Sequence, residues 1–191
     1  SEWNDVYRDA VRRYWRGDRS QAELARRLNG SAELFDHAGR ATTATINFIA
    51  SHDGFSLHDV VSFREKHNMA NREENRDGHH DNCSDNLGME GMDVPSQIAA
   101  ARRRRKRAML ATLFLSQGVP MILAGDEFGR SQAGNNNAYA QDNPTNWLDW
   151  EGADQDLIEF VARLSTLRNQ SPILRQTAFL HGEIRGDGSR N

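Results

Sequence analysis

The sequence predicts an α/β fold with a parallel sheet, and two observations carry that expectation. A helical segment, a short buried apolar run and a polar loop follow one another in that order twice, around I-N-F-I-A-S at 46–51 and around V-P-M-I-L-A at 119–124. Each run then ends in acids: His52-Asp53 after the first, and G-D-E at 125–127 after the second. In parallel sheets the C-terminal strand ends are where chemistry is built.

Taken in order, Asn4 or Asp5 caps a first helix. Its apolar positions Tyr7, Val11, Tyr14 and Trp15 recur at helical spacing, Arg8, Arg12 and Arg16 are expected to face water, and Gly17 stops it. Ser20 with Glu23 three residues later forms a capping box for a second helix, in which Leu24 and Leu28 share a face until Asn29-Gly30. S-A-E-L-F at 31–35 adds a turn. The strand run Ile46, Phe48, Ile49 follows A-T-T-A-T and closes at Gly54. In F-S-L-H-D-V-V-S-F, Phe55, Val60, Val61 and Phe63 are the inward set.

From His67 to Val94 the periodicity gives way to Asn, Asp and Gly, which predicts a long structured loop; a compact domain rarely carries one without a use. A helix from about Pro95 to Gln117 passes through R-R-R-R-K-R at 102–107. Consecutive basic residues spread around all faces of a helix, so the run predicts a solvated surface and not a nucleic-acid stripe. Gly118 breaks this helix before the second strand. The loop from Phe128 to Trp150 is rich in amides and aromatics, and Tyr139, Trp147 and Trp150 either stack on sugar rings or plug the loop against the core. Asp154 caps a last helix with Leu157, Phe160, Val161, Leu164 and Leu167 inward, stopped before Pro172.

With 37% hydrophobic and 27% charged residues the chain is expected to fold around one core, not to be disordered. A net charge of -3 gives no global attraction to nucleic acid or anionic membranes. The single Cys83 excludes an internal disulfide, and no apolar run approaches the roughly 20 residues that span a bilayer. A cytoplasmic location is the expectation. Ser1 in place of Met, and the ending G-E-I-R-G-D-G-S-R-N, suggest a piece of a longer protein.

Two metal readings fail on pattern. Asp81, Cys83 and Asp85 have the start of a calcium loop, but Asn86 and Met92 stand where its Gly and Glu belong. His79, His80 and Cys83 lack the second ligand pair of a structural zinc site. Neither a metal nor a cofactor is expected. The amides and carboxylates of this loop suit a rim for hydroxyl-rich ligands. On the residues alone, His52 and Asp53 either begin an ordinary turn or form a reactive tip, and Asp53 pairs naturally with Asp126 or Glu127 as acid and nucleophile.

Together, I-N-F-I-A-S-H-D-G, E-E-N-R-D-G, G-V-P-M-I-L-A-G-D-E-F-G and N-N-N-A-Y-A-Q-D-N resemble the C-terminal part of the catalytic barrel of bacterial glycogen debranching enzymes, isoamylase-type members of the α-amylase superfamily. The opening E-W-N-D-V-Y-R-D-A-V-R-R-Y-W-R-G-D is likewise similar to the segment after that family's sixth strand. The resemblance implies about strands six to eight, with helices, of a (β/α)8 TIM barrel that this chain leaves incomplete, over residues 1–175, with 176–191 a linker toward a further domain. It implies retaining hydrolysis of α-1,6 branches in glycogen or limit dextrin by the full-length parent. Asp53 would be the transition-state stabiliser and His52 a sugar contact, while Asp126, Glu127, Asn135, Tyr139 and Asp142 are weaker substrate-binding candidates.

On that reading the nucleophile and general acid lie upstream of Ser1, Asp126 and Glu127 become supporting groups, and the isolated chain is inactive. Cut from its barrel, with Phe48 and Ile122 open to water, it is expected either to self-associate through that side or to rearrange its polar loops to cover it. The alternatives are a non-catalytic carbohydrate-binding or scaffold module, and another activity of the superfamily such as transglycosylation.

Overall fold

A computed structural model describes residues 1–180. Three short strands, β1 (Glu2–Asn4), β2 (Thr45–Phe48) and β3 (Val119–Met121), form a parallel sheet in the order β1-β2-β3. The register sets Trp3 beside Ile46 and Ile46 beside Val119. The first of these strands was not anticipated from the sequence: three residues give no readable period, and only pairing with β2 makes them a strand.

Between β1 and β2 run α1 (Asp5–Arg16), α2 (Gln21–Leu28) and the single turn α3 (Ala32–Phe35). Asn4 caps α1 by accepting from the Tyr7 N–H, and Gly17 ends it in a left-handed conformation. Ser20 stands at the start of α2, although its side chain makes no capping bond. After β2 come the turn α4 (Leu57–Val60), the long loop, and α5 (Ser96–Leu115), which leads into β3; α6 (Gln155–Gln170) is capped by Asp154 accepting from Leu157 N.

The core lies between the sheet and these helices. Tyr7 and Val11 of α1, Met109, Leu110 and Leu113 of α5, and Leu157, Val161 and Leu164 of α6 meet Ile49, Phe55, Leu57 and Val60 there. Leu167, expected inward, is 47% exposed, and Arg168 takes the buried position one residue on. Its guanidinium donates to the carbonyls of Phe114, Ser116 and Gly118, which fastens the end of α5 to the start of β3.

Three basic residues expected in water are inside. Arg102 and Lys106 of the basic run are 3% and 5% exposed, and Arg102 donates to the carbonyls of Gly91, Ser62, Asn86 and Met89, so it ties the long loop to α5. Arg12 is the third. Phe48 also departs from expectation: it is 2% exposed because the Trp3 ring, 5.7 Å away, and the Arg8 guanidinium at 5.8 Å cover it. The segment expected to be a linker packs where it is described, with Thr177 O accepting from Thr42 N and Phe179 lying against Phe35 and Ala44. Residues 181–191 of that expectation lie outside the described residues.

Candidate active site

The chain leaves β2 with Ile49, Ala50 and Ser51 buried, and the next two residues emerge. His52 and Asp53 have side chains 70% and 63% exposed, with His52 Nε2 and Asp53 Oδ2 3.5 Å apart. The Ser51 hydroxyl donates to Asp53 O at 3.2 Å, and the edge of Trp3 from β1 meets the His52 ring at 5.6 Å. A cation-capable ring and a carboxylate thus stand side by side at the C-terminal end of the middle strand.

The backbone of this tip is held from behind. Gly54 N donates to Asn136 O, and Arg12 donates from Nε to Ile49 O, from Nη2 to Phe55 O and from Nη1 to Asn82 O. Arg12 gave no sequence signal, since it shares its helix face with Arg8 and Arg16. Beside the tip, the loops 66–82 and 132–141 interlock through amides. Asn136 Nδ2 donates to His79 O and Asn82 Oδ1, Asn68 Nδ2 donates to Asn136 Oδ1, and Asn68 Oδ1 accepts from Asn136 N. Asp77 joins the same network, accepting from Asn71 and Asn137, and these bonds hold its carboxyl below its ordinary value despite some desolvation. Two loops without an apolar core are ordered in this way by bonds between their side-chain amides and backbone groups.

The acids after β3 lie deeper. Asp126 is 2% exposed and accepts from Leu57 N at 2.9 Å, and burial pushes its carboxyl up to about 7. Asp59, which the sequence reading passed over, is fully buried, accepts from Ser131 Oγ and Gln132 N, and is pushed by burial to about 6. A signal existed for it, because Asp59 shares a helical face with the inward Phe55 and Phe63. Asp126 and Asp59 therefore tie the segment after β2 to the segment after β3.

Of the expected sugar contacts, Asp126 and Asn135 are buried in this chain, Asn135 being 2% exposed and bonded to Asn71. Glu127 accepts from Gly125 N and so closes its own turn. Asp142 and Tyr139 stand on the surface, Tyr139 at 77% exposure, and Asp142 accepts from Trp147 Nε1 at 3.0 Å. Trp147 lines a cleft of about 300 Å³ with Phe128, Arg130, Ser131, Pro144 and Asp149, while Trp150 lies 4.7 Å from the Phe128 ring. Among the described residues no group of three or more His, Cys, Asp or Glu is placed to hold a metal ion, and no helix is long and apolar enough to cross a membrane.

No family model matches the chain. Among curated relatives, it is 51% identical over 190 residues to the glycogen debranching enzyme of Erwinia tasmaniensis, covering 99% of this chain and 28% of the relative. It is 49% identical over 186 residues to the glycogen operon protein GlgX homolog of Mycobacterium bovis, covering 96% of this chain and 26% of that protein. The similarity thus runs along essentially the whole chain and spans little more than a quarter of the relatives' length. Among solved structures, the pullulanase of Bacillus acidopullulyticus shares the fold over 92% of this chain and 19% of its own, with a TM-score of 0.69 at 24% identity. The type I pullulanase of Bacillus subtilis, solved with maltose, covers 92% of this chain and 23% of its own at a TM-score of 0.66 and 24% identity.

Proposed function

We propose that this chain, similar throughout to a segment of bacterial glycogen debranching enzymes, is the part of such an enzyme's catalytic barrel that carries β1, β2 and β3 as strands six, seven and eight. The observation that supports this best is half-identity along 99% of the chain with His52 and Asp53 exposed at the C-terminal end of the middle strand. In this reading the substrate is a branched α-glucan and the reaction is hydrolysis of its α-1,6 branch linkages with retention.

Asp53 is the third carboxylate of the site. A fixed negative charge is complementary to the positive charge that grows on the sugar ring only as the glycosidic bond breaks, so it stabilises the transition state more than the substrate. His52 donates to a hydroxyl of the same sugar and leans on Asp53, restricting where that carboxylate points. The nucleophile and general acid, which retaining hydrolysis needs about 5 Å apart, come from outside this segment.

The test compares the full-length protein that contains this segment with residues 1–191 alone, on limit dextrin. The full-length protein releases branches and the isolated chain does not. A full-length protein that leaves the branches intact overturns the reading, and turnover by the isolated chain overturns the division of the carboxylates.

A further inference from the structure

The geometry points to Arg12 as a positioning residue: we propose that its guanidinium, through a closed hydrogen-bonded circuit behind the strand tip, sets the aim of Asp53. This rests on the role proposed for Asp53 above and adds a residue on a different element to it. Arg12 sits in α1, is 3% exposed, and all three of its hydrogen bonds end on backbone carbonyls. Two of those carbonyls, Ile49 at 2.9 Å and Phe55 at 3.3 Å, bracket His52 and Asp53 in the chain, so one rigid planar group fixes both ends of the segment that bears them. The third, Asn82 at 2.8 Å, belongs to the long loop.

The circuit closes without leaving the site. Asn82 Oδ1 accepts from Asn136 Nδ2, and Asn136 O accepts from Gly54 N, the residue next to Asp53. Four segments therefore meet behind the tip: α1, the 49–55 turn, the 79–82 stretch and the 135–137 stretch. Burying a cation costs several kcal/mol unless its donors are satisfied. Burial indeed draws the Arg12 guanidinium down to about 10, so it remains charged at neutral pH while spending that charge on backbone geometry. A group that only filled space here would be apolar, as its buried neighbours Ala10 and Val11 are. Tuning the angle of a carboxylate matters because stabilisation of a developing charge is lost when the partner moves by about an ångström.

Arg12→Lys in the full-length protein is the test. A single ammonium on a flexible stem cannot reach all three carbonyls at once, at both ends of the 49–55 turn and in the 79–82 stretch, so kcat on limit dextrin is expected to fall 10- to 100-fold. The dissociation constant for a linear maltooligosaccharide stays close to that of the unsubstituted protein, while the melting temperature falls because buried carbonyls lose their donors. Hydrogen exchange at residues 50–56 rises at least tenfold, with α5 and α6 unchanged. A kcat within threefold of the unsubstituted protein with unchanged exchange at 50–56 overturns the proposal. A loss of kcat accompanied by equal losses of affinity and of global protection also overturns it, as support of the fold alone. If Arg12→Lys does not fold, Asn82→Ala, which opens the circuit at Asn136 and strands no buried cation, is read the same way with a loss of about tenfold expected; no loss overturns the circuit. Should the unsubstituted full-length protein not debranch at all, the proposed function fails while the exchange at 50–56 still decides whether Arg12 holds the tip.

Discussion

Gly78 lies directly against the side-chain amide of Asn136: at φ +72°, a methyl group on residue 78 would overlap Asn136 Oδ1 and come within 2.9 Å of Asn68 Nδ2. The two long loops thus touch where only a glycine fits, and the same Asn136 reaches back to Gly54 beside His52 and Asp53. Order in the polar loops is therefore order at the tip.

Replacing that glycine tests the link. Gly78→Ala incurs about 1–2 kcal/mol from the left-handed backbone conformation alone, before any overlap with Asn136. Faster hydrogen exchange is expected across 66–82 and at Gly54, with the amides of α6 unchanged. Exchange confined to residue 78 would disconnect the loops from the tip.

Asp126 makes stability depend on pH in a stated direction. Its carboxyl is raised in the folded protein to about 7 from an ordinary 3.8, facing Arg12, Asp59 and Arg130, so between those values the folded state holds more protons than the unfolded one. This contribution is fully present below about pH 4 and is lost as pH rises through 7. Asp126→Asn keeps an acceptor for Leu57 N and does not titrate. Its melting temperature relative to the unsubstituted protein should therefore be higher at pH 8 than at pH 5. A difference that does not change with pH would mean that Asp126 is ionised in both states.

On the role proposed for Asp53, Asp53→Asn in the full-length protein should lower kcat by several powers of ten, because a hydrogen-bonding isostere would replace the charge facing the developing cation. Folding should be untouched, since the side chain is 63% exposed. A loss below about tenfold, measured on limit dextrin, would remove Asp53 from the catalytic set.

The isolated chain should self-associate through its sheet. Trp3, Ile46 and Val119 lie side by side across the three strands, and Trp3 and Val119 are 50% and 38% exposed. At roughly 25 cal/mol per Å², a few hundred Å² of such surface is worth several kcal/mol, comparable with the stability of a small domain. Light scattering on a sizing column with a hydrophobic-dye titration measures this. A strict monomer that binds no dye would show the sheet to be self-sufficient.

Periodicity and capping determined the helices from the sequence alone: the Asn4 and Asp154 caps, the stop at Gly17, the apolar stripes of α1 and α6, and the two apolar runs that became β2 and β3 are local facts, set by which side of a helix or strand can shed water, although β3 is part-exposed and not buried as expected. His52 and Asp53 at a strand tip were legible for the same reason, as polar residues ending an apolar run. Tertiary structure alone decided which polar residues go inside. Arg12, Arg102, Lys106 and Asp59 are indistinguishable by type from surface residues, and Asp126 from an acid open to substrate. Arg12, Arg102, Asp59 and Asp126 each bond backbone groups distant in the chain, as Arg12 does Ile49, Phe55 and Asn82, while Lys106 reaches the His58 ring. A hydrogen bond across 37 to 70 residues leaves no mark in a pattern whose period is two or four, and it is these long-range bonds that hold the tip in place.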